Sequence, residues 1–185
     1  MAEISIDKLS AAYPARRLRA SDADALLEVC AGNATYFRYM RCAPDKAHII
    51  DDLTRRPPGT DARDKYFVGF FDGGQLVAAL DLIAGYPDRQ TCFIGWFIVR
   101  RERQGRGFGT ALLSGVLAEA GRHFGRARLA YVSDNPESAA FWKKNGFADT
   151  GETKDCGAYT LRLAERVLRQ DGQKEKEEPA RCAIS

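Results

Sequence analysis

Between residues 92 and 99 nearly every position is apolar, β-branched or aromatic, the pattern of a strand covered on both faces. From Phe108 the periodicity changes. Larger apolar residues recur at Leu112, Leu113, Val116, Leu117 and Ala120, the stripe of a helix that ends near Gly121. A further apolar run over residues 127–132 reads as the next strand. Strand, helix and strand in succession predict a right-handed crossover joining a parallel pair. Upstream, residues 65–71 and 75–83 are two more strand-like runs joined by Asp72-Gly73-Gly74, a hairpin turn sequence. After a loop holding Tyr86-Pro87-Asp88, the run at 92–99 follows as a third antiparallel neighbour.

The flanks are patterned more weakly. Residues 16–19 predict a short first strand, stopped by Ser21, which with Asp24 forms a capping-box-like start to a helix turning Ala25, Leu26, Val29 and Cys30 inward. After Gly32-Asn33, the cluster Tyr36, Phe37, Tyr39 and Met40 fits either core packing or the mouth of a substrate pocket. Asp45 opens a second helix through Leu53, closed by Pro57-Pro58-Gly59. Downstream, Asn135-Pro136 is a strong helix start, because asparagine caps and proline at the first position loses no needed N–H. Lys143 and Lys144 face the negative end of that helix, Gly146 stops it and Phe147 folds back. Residues 157–163 supply a last strand continuing toward Arg169. The expected domain, residues 15–169, is α/β (α+β), with a mixed, mostly antiparallel central sheet flanked by helices. Residues 1–14 are expected to form a flexible arm and residues 170–185, charged and poor in large apolar side chains, a disordered tail.

At 185 residues and 45% hydrophobic content, one domain can bury a sizeable core unaided. Cys30, Cys42, Cys92, Cys156 and Cys182 are odd in number and scattered, with no C-x-x-C pair. That argues against a disulfide framework or a metal site and for a reducing, cytoplasmic compartment. No stretch reaches a membrane span, and no signal-peptide core is present at the N-terminus. The net charge of +3 is local, since residues 100–106 hold four arginines and one glutamate and the remainder balances. A surplus so confined does not make a nucleic-acid footprint, which needs basic residues along a whole face.

That basic turn contains Gln104-Gly105-Arg106-Gly107-Phe108-Gly109. Three alternate glycines before a helix let bare backbone approach a ligand and aim N–H groups at it, while the helix adds the positive end of its dipole. The turn suits phosphate. It is not a Walker loop, because Thr110 and Ala111 follow Gly109 where Lys-Ser/Thr would be needed. Nor is it a dinucleotide fingerprint, which wants another glycine at Thr110 and an acid on the next strand. Gln104-x-x-Gly107-x-Gly109, taken with Asp134-Asn135-Pro136, Phe141-Trp142-Lys143-Lys144 and Gly146-Phe147, resembles the GNAT superfamily of acyl-CoA-dependent N-acyltransferases. The resemblance covers about residues 17–163 and is most specific in its second half.

The resemblance implies that the strands beginning at Cys92 and Ala127 splay apart to form an acyl-CoA cleft. The backbone of Phe97, Ile98 and Val99 would hold the pantetheine arm. The N–H groups of Gln104, Gly105, Arg106, Gly107, Phe108, Gly109 and Thr110 would hold the diphosphate. Arg100, Arg101, Arg103 and Arg106 are candidates for the remaining phosphate, and Asn135 matches the family asparagine at the cofactor arm. The implied reaction is direct attack of an amine of a small molecule or protein on acetyl-CoA. Such a reaction needs a base for the ammonium, N–H groups for the oxyanion and an acid for the thiolate. Two of these depart from the family pattern. Trp142 stands where an acidic tyrosine often does, and Phe93 and Gly95 stand where some members carry a glutamate. Asp81, a carboxylate inside an apolar strand, is the substitute candidate for base or substrate anchor. Tyr131 and Ser133, near the splay, are candidates for a water-mediated proton relay. Tyr36, Tyr39 and Tyr86 are candidates for the substrate pocket. The missing tyrosine and glutamate also fit a catalytically degenerate acyl-CoA-binding module, and a homodimer is left open.

Overall fold

The computed structural model describes residues 3–168; the tail at 170–185 lies outside them. Seven strands form one sheet in the order β1-β2-β3-β4-β5-β7-β6. They are β1 (Ala15–Arg17), β2 (Lys65–Asp72), β3 (Gln75–Ala84), β4 (Thr91–Val99), β5 (Arg126–Val132), β6 (Ala148–Asp155) and β7 (Thr160–Val167). Five helices accompany them: α1 (Ala23–Ala31), α2 (Ala34–Tyr39), α3 (Lys46–Asp52), α4 (Phe108–Ala120) and α5 (Pro136–Lys144). β4 and β5 run parallel, and every other neighbouring pair in the sheet is antiparallel.

The core forms two clusters, one on each face of the sheet. On the first face, Leu112, Leu113, Val116 and Leu117 of α4 and Trp142 of α5 pack over Val68, Phe70, Leu80, Leu82, Ile94 and Leu129. On the second, Leu26, Val29 and Cys30 of α1 and Ile49 of α3 cover Phe67, Ala79 and Ile98. α1 and α3 thus shield the β2–β4 half of that face.

Local signals explain most boundaries. Gly73 and Gly74 both have positive φ, 54° and 84°, as a two-residue turn between β2 and β3 demands. Asp45 caps α3 by accepting from the His48 N–H at 3.0 Å, and Asn135 caps α5 by accepting from the Ser138 N–H at 3.0 Å. α5 ends in a Schellman turn, with the Phe147 N–H donating to Trp142 O and the Gly146 N–H to Lys143 O.

Four expectations are corrected. Residues 4–9 are no free arm: Ile4 and Leu9 are buried, and the Ser5 N–H donates to Glu119 Oε1 of α4 at 2.9 Å. Leu9 crosses α4 at Gly115, where a Cβ would stand 2.4 Å from the Leu9 carbonyl oxygen. Ser21 does not cap α1. It lies in a 3₁₀ turn, Ala20–Asp22, whose Asp22 pairs with Arg16 at 2.8 Å and accepts from the Arg19 N–H. The aromatic cluster after Asn33 is itself a helix, α2. The last strand, in turn, has a partner the hydropathy pattern misses. β6 is exposed along its whole length, an edge strand held by its ladder to β7 and by pairs such as Arg128 with Glu152 at 2.6 Å.

Candidate active site

The pairing of β4 with β5 runs from Thr91 opposite Arg126 to Ile94 opposite Leu129 and no further. Beyond it both strands continue, to Val99 and Val132, with a gap between them. Around the gap lies a cleft of about 1030 Å³ that passes from one face of the sheet to the other. On the α4/α5 face it is lined by Phe97, Gly105, Gly107, Gly109, Thr110, Asn135 and Trp142. On the opposite face Tyr36, Tyr86, Phe93, Trp96, Tyr159 and Leu163 line it.

The α4 side is built from backbone. Gly105 and Gly107 have φ of 78° and 81°, and Gly107 is the left-handed residue that starts the 13-residue α4. A side chain there would strain the turn. Gly109 is constrained differently: a Cβ there would sit 3.3 Å from the Phe141 ring, which would have to give way. What remains is a cradle of bare amides at the positive end of a helix, a fit for a diphosphate. The Phe108 side chain points elsewhere, packing on Tyr13 with ring centroids 5.1 Å apart, so only its backbone is offered.

Gln104 offers no free amide to a ligand, because its N–H donates to Arg101 O at 3.1 Å, which corrects its expected place among the phosphate-binding amides; its side chain acts instead. Its Nε2 donates to Val99 O at 2.7 Å and to Asn33 Oδ1 at 2.6 Å, while Asn33 Nδ2 donates to the same Val99 O at 3.1 Å. The end of β4, the end of α1 and the glycine loop are thereby tied together, and the Val99 carbonyl has both acceptor positions used. That corrects the expectation that it serves a ligand. The arginines also divide. Arg100 is buried, donating from Nε to Leu76 O at 2.9 Å and pairing with Glu28 at 2.8 Å, and Arg103 is paired with Asp72. Neither is a free phosphate ligand. Arg101 lines the cleft, and Arg106 is exposed with no ion pair among the described residues. Asn135 lines the cleft and is buried, its amide oxygen committed to capping α5.

The candidate catalytic residues separate as well. Ser133 is not among the residues lining the cleft, and its buried Oγ has no hydrogen-bond partner in the described structure. Tyr131 does line it, on the β5 lip, and burial raises its phenol pKa, followed by the Asp149 charge. Asp81 lies behind the cleft wall rather than in it. β4 is bulged so that Leu82 opposes Ile94 and Asp81 opposes Trp96, leaving Gly95 without a partner. The Asp81 carboxylate fills the place a side chain at Gly95 would take, Oδ2 lying 2.6 Å from where that Cβ would be. Gly95 is exposed to the cleft, so it forms a window onto this carboxylate.

Lys65, 6% exposed, donates to Asp81 Oδ2 at 2.9 Å; Oδ1 lies equally close but off the donor direction. Burial lifts the Asp81 pKa to about 6, more than the Lys65 charge lowers it. Tyr36 and Tyr86 line the cleft as expected, whereas Tyr39 does not. Enclosure also raises the Tyr36 pKa; Tyr159 is a further cause, and the Trp96 indole beside the hydroxyl acts the other way. Sequence reading missed Lys65, Trp96 and Tyr159. The first two sit within apolar strand runs that give no local sign of function, and Tyr159 sits in a turn next to an unrecognised strand.

A family model described as the Acetyltransferase (GNAT) family matches residues 28–147, more than half of the chain. The protein belongs to that family. Among solved structures, an acetyltransferase from Thermus thermophilus superposes with a TM-score of 0.68 at 24% identity, covering 84% of this chain and 97% of that one. The PaiA N-acetyltransferase from Thermoplasma acidophilum, in complex with coenzyme A, gives 0.58 at 19% identity, covering 84% and 99%. An acetyltransferase from Salmonella typhimurium that modifies the N-terminal serine of 50S ribosomal subunit protein L7/L12 gives 0.66 at 17%, covering 86% and 97%. These likenesses show a shared fold. No curated protein matches the sequence. No described helix is long and apolar enough to cross a membrane, and no metal-binding cluster occurs among the described residues.

Proposed function

We propose that this protein is an N-acetyltransferase that moves an acetyl group from acetyl-CoA to a primary amine of a small molecule or protein. The observation that carries the reading is the parting of β4 from β5 directly in front of the glycine cradle that opens α4. When bound, acetyl-CoA supplies the acetyl group as a thioester, whose C–S bond is exchanged for the C–N bond of an amide. The amides of residues 105–110 hold its diphosphate, with Arg106 adding charge. The β4 backbone at Phe97 and Ile98 orients the arm and meets the carbonyl oxygen as it gains charge.

Amine and donor meet from opposite faces of the sheet. Asp81 accepts one proton of the incoming ammonium across the Gly95 window, a task that its raised pKa favours over that of an exposed carboxylate. Tyr131, on the donor side, relays through water the proton that the nitrogen then loses to the departing sulfur. Asp81 returns its own proton to solvent. Trp142, 7% exposed, tilted against Phe97 and edge-to-face with Phe141 and Phe147, packs the donor side and carries no proton. The test is release of free thiol from acetyl-CoA across a panel of amines, with calorimetry of CoA binding alongside. Saturable thiol release that depends on the amine is expected; binding of CoA with no release for any amine would leave a binding module instead.

A further inference from the structure

On the acceptor face the cleft is a chamber whose floor, walls and charges each restrict what fits. α1 and α3 cover the β2–β4 half of that face, leaving Leu161 and Leu163 of β7 half-exposed as an apolar floor beside the splay. Tyr36 from α2, Trp96 from β4 and Tyr159 from the β6–β7 turn supply aromatic walls from three separate elements. At the inner end stands the Asp81 carboxylate behind Gly95. At the outer end one cation is left without a partner: Arg128 is matched by Glu152 at 2.6 Å and Glu165 at 3.7 Å, whereas Lys154 has no ion pair among the described residues.

We infer that the acceptor is a monocationic primary amine on a flat apolar body, an arylalkylamine in chemical class, with a neutral or anionic far end. The inference rests on the acetyl-transfer reading for which end of the ligand reacts. The body lies on the Leu161 and Leu163 floor between aromatic rings, where burial of apolar surface and ring-edge contacts hold it. Its ammonium approaches the Asp81–Lys65 pair through the Gly95 window, where Lys65 offsets the carboxylate's charge and the nearby ring faces supply the attraction. A second ammonium further along the ligand would meet Lys154, so polyamines and lysine-rich peptides are disfavoured by like charge. Leu163, Tyr159 and Lys154 are accordingly specificity residues.

The experiment compares 2-phenylethylamine, spermidine and a lysine-rich peptide, first in thiol release from acetyl-CoA and then in calorimetry on the CoA-loaded protein. At least tenfold higher kcat/KM for 2-phenylethylamine than for spermidine is expected, with binding heat for the first and none for the other two. Leu163→Glu should raise KM for 2-phenylethylamine at least tenfold with CoA affinity unchanged. Lys154→Glu, a surface change, should narrow the gap by raising turnover of spermidine. Preference for spermidine or the peptide would overturn the inference and leave acetyl transfer standing. Absence of 2-phenylethylamine binding would also overturn it, whatever turns over. Binding of 2-phenylethylamine without turnover of any amine would keep the acceptor class and remove acetyl transfer.

Discussion

The two halves of the cleft are made of different material. The half on the α4 side is built chiefly from the backbone of one short segment, residues 105–110, in which glycines at Gly105, Gly107 and Gly109 are there for what they lack. The half on the opposite face consists of side chains from α2, β4, β5, β6, β7 and the turns beside them, each element giving a few. Recognition by backbone demands a local sequence, so it leaves a local trace. Recognition by side chains asks only that distant residues converge, and any one of them reads as ordinary core when taken alone.

If that contrast holds, damage to the donor half should be severe and independent of the amine. Gly107→Val puts a β-branched residue at φ 81°, and Gly109→Val crowds the Phe141 ring and covers the amides beside it. Both variants should fold and lose measurable CoA binding by calorimetry; unchanged affinity in the two would undo the donor assignment. Damage at the Gly95 window should instead spare CoA affinity. Asp81→Asn should lower kcat by roughly 10²-fold, the low end of a general base's contribution. The sign of the pH dependence follows from its raised pKa. The base works only when ionised, so activity should climb as pH rises through about 6 and be lost below it. The asparagine variant should lack that limb, and a normal profile in Asp81→Asn would move the base to another group.

Smaller effects sharpen the comparison. Arg106→Ala removes one exposed charge from a site made chiefly of amides. CoA affinity should fall only a few-fold, since an exposed ion pair is worth at most about 1 kcal/mol; complete loss would mean that charge, not backbone, does the binding. Trp142→Phe should change least. If the indole packs without moving protons, the phenyl ring keeps most of the turnover and the same pH profile. A kcat collapse with CoA binding intact would return a chemical role to that position.

The amino-acid sequence by itself determined the glycine cradle and the elements that carry it. The hairpin glycines, the apolar run of β4, the stripe of α4 and the Asn135-Pro136 start of α5 are local instructions, and each is followed. Where the instruction was weak, tertiary contact decided. Ile4 and Leu9 became core because α4 offers Gly115 and Glu119 to receive them, and β6, with no apolar residue beyond Ala148, became a strand because β7 had an open edge. The pairing of Asp81 with Lys65 behind the cleft wall depended on register. Counted straight back from the Gly73-Gly74 turn, Asp81 would oppose Tyr66, and Lys65 would fall on the other face of the sheet. A shift between Phe70 and Phe71 changes the parity, so Asp81 opposes Phe67 and Lys65 comes diagonally beside it on the same face. The bulge at Gly95 then opens β4 over that carboxylate. A shift of one residue moves every side chain beyond it to the opposite face. The hydrophobic pattern does not announce such a shift, because β2 and β3 are buried on both faces and their alternation carries no phase.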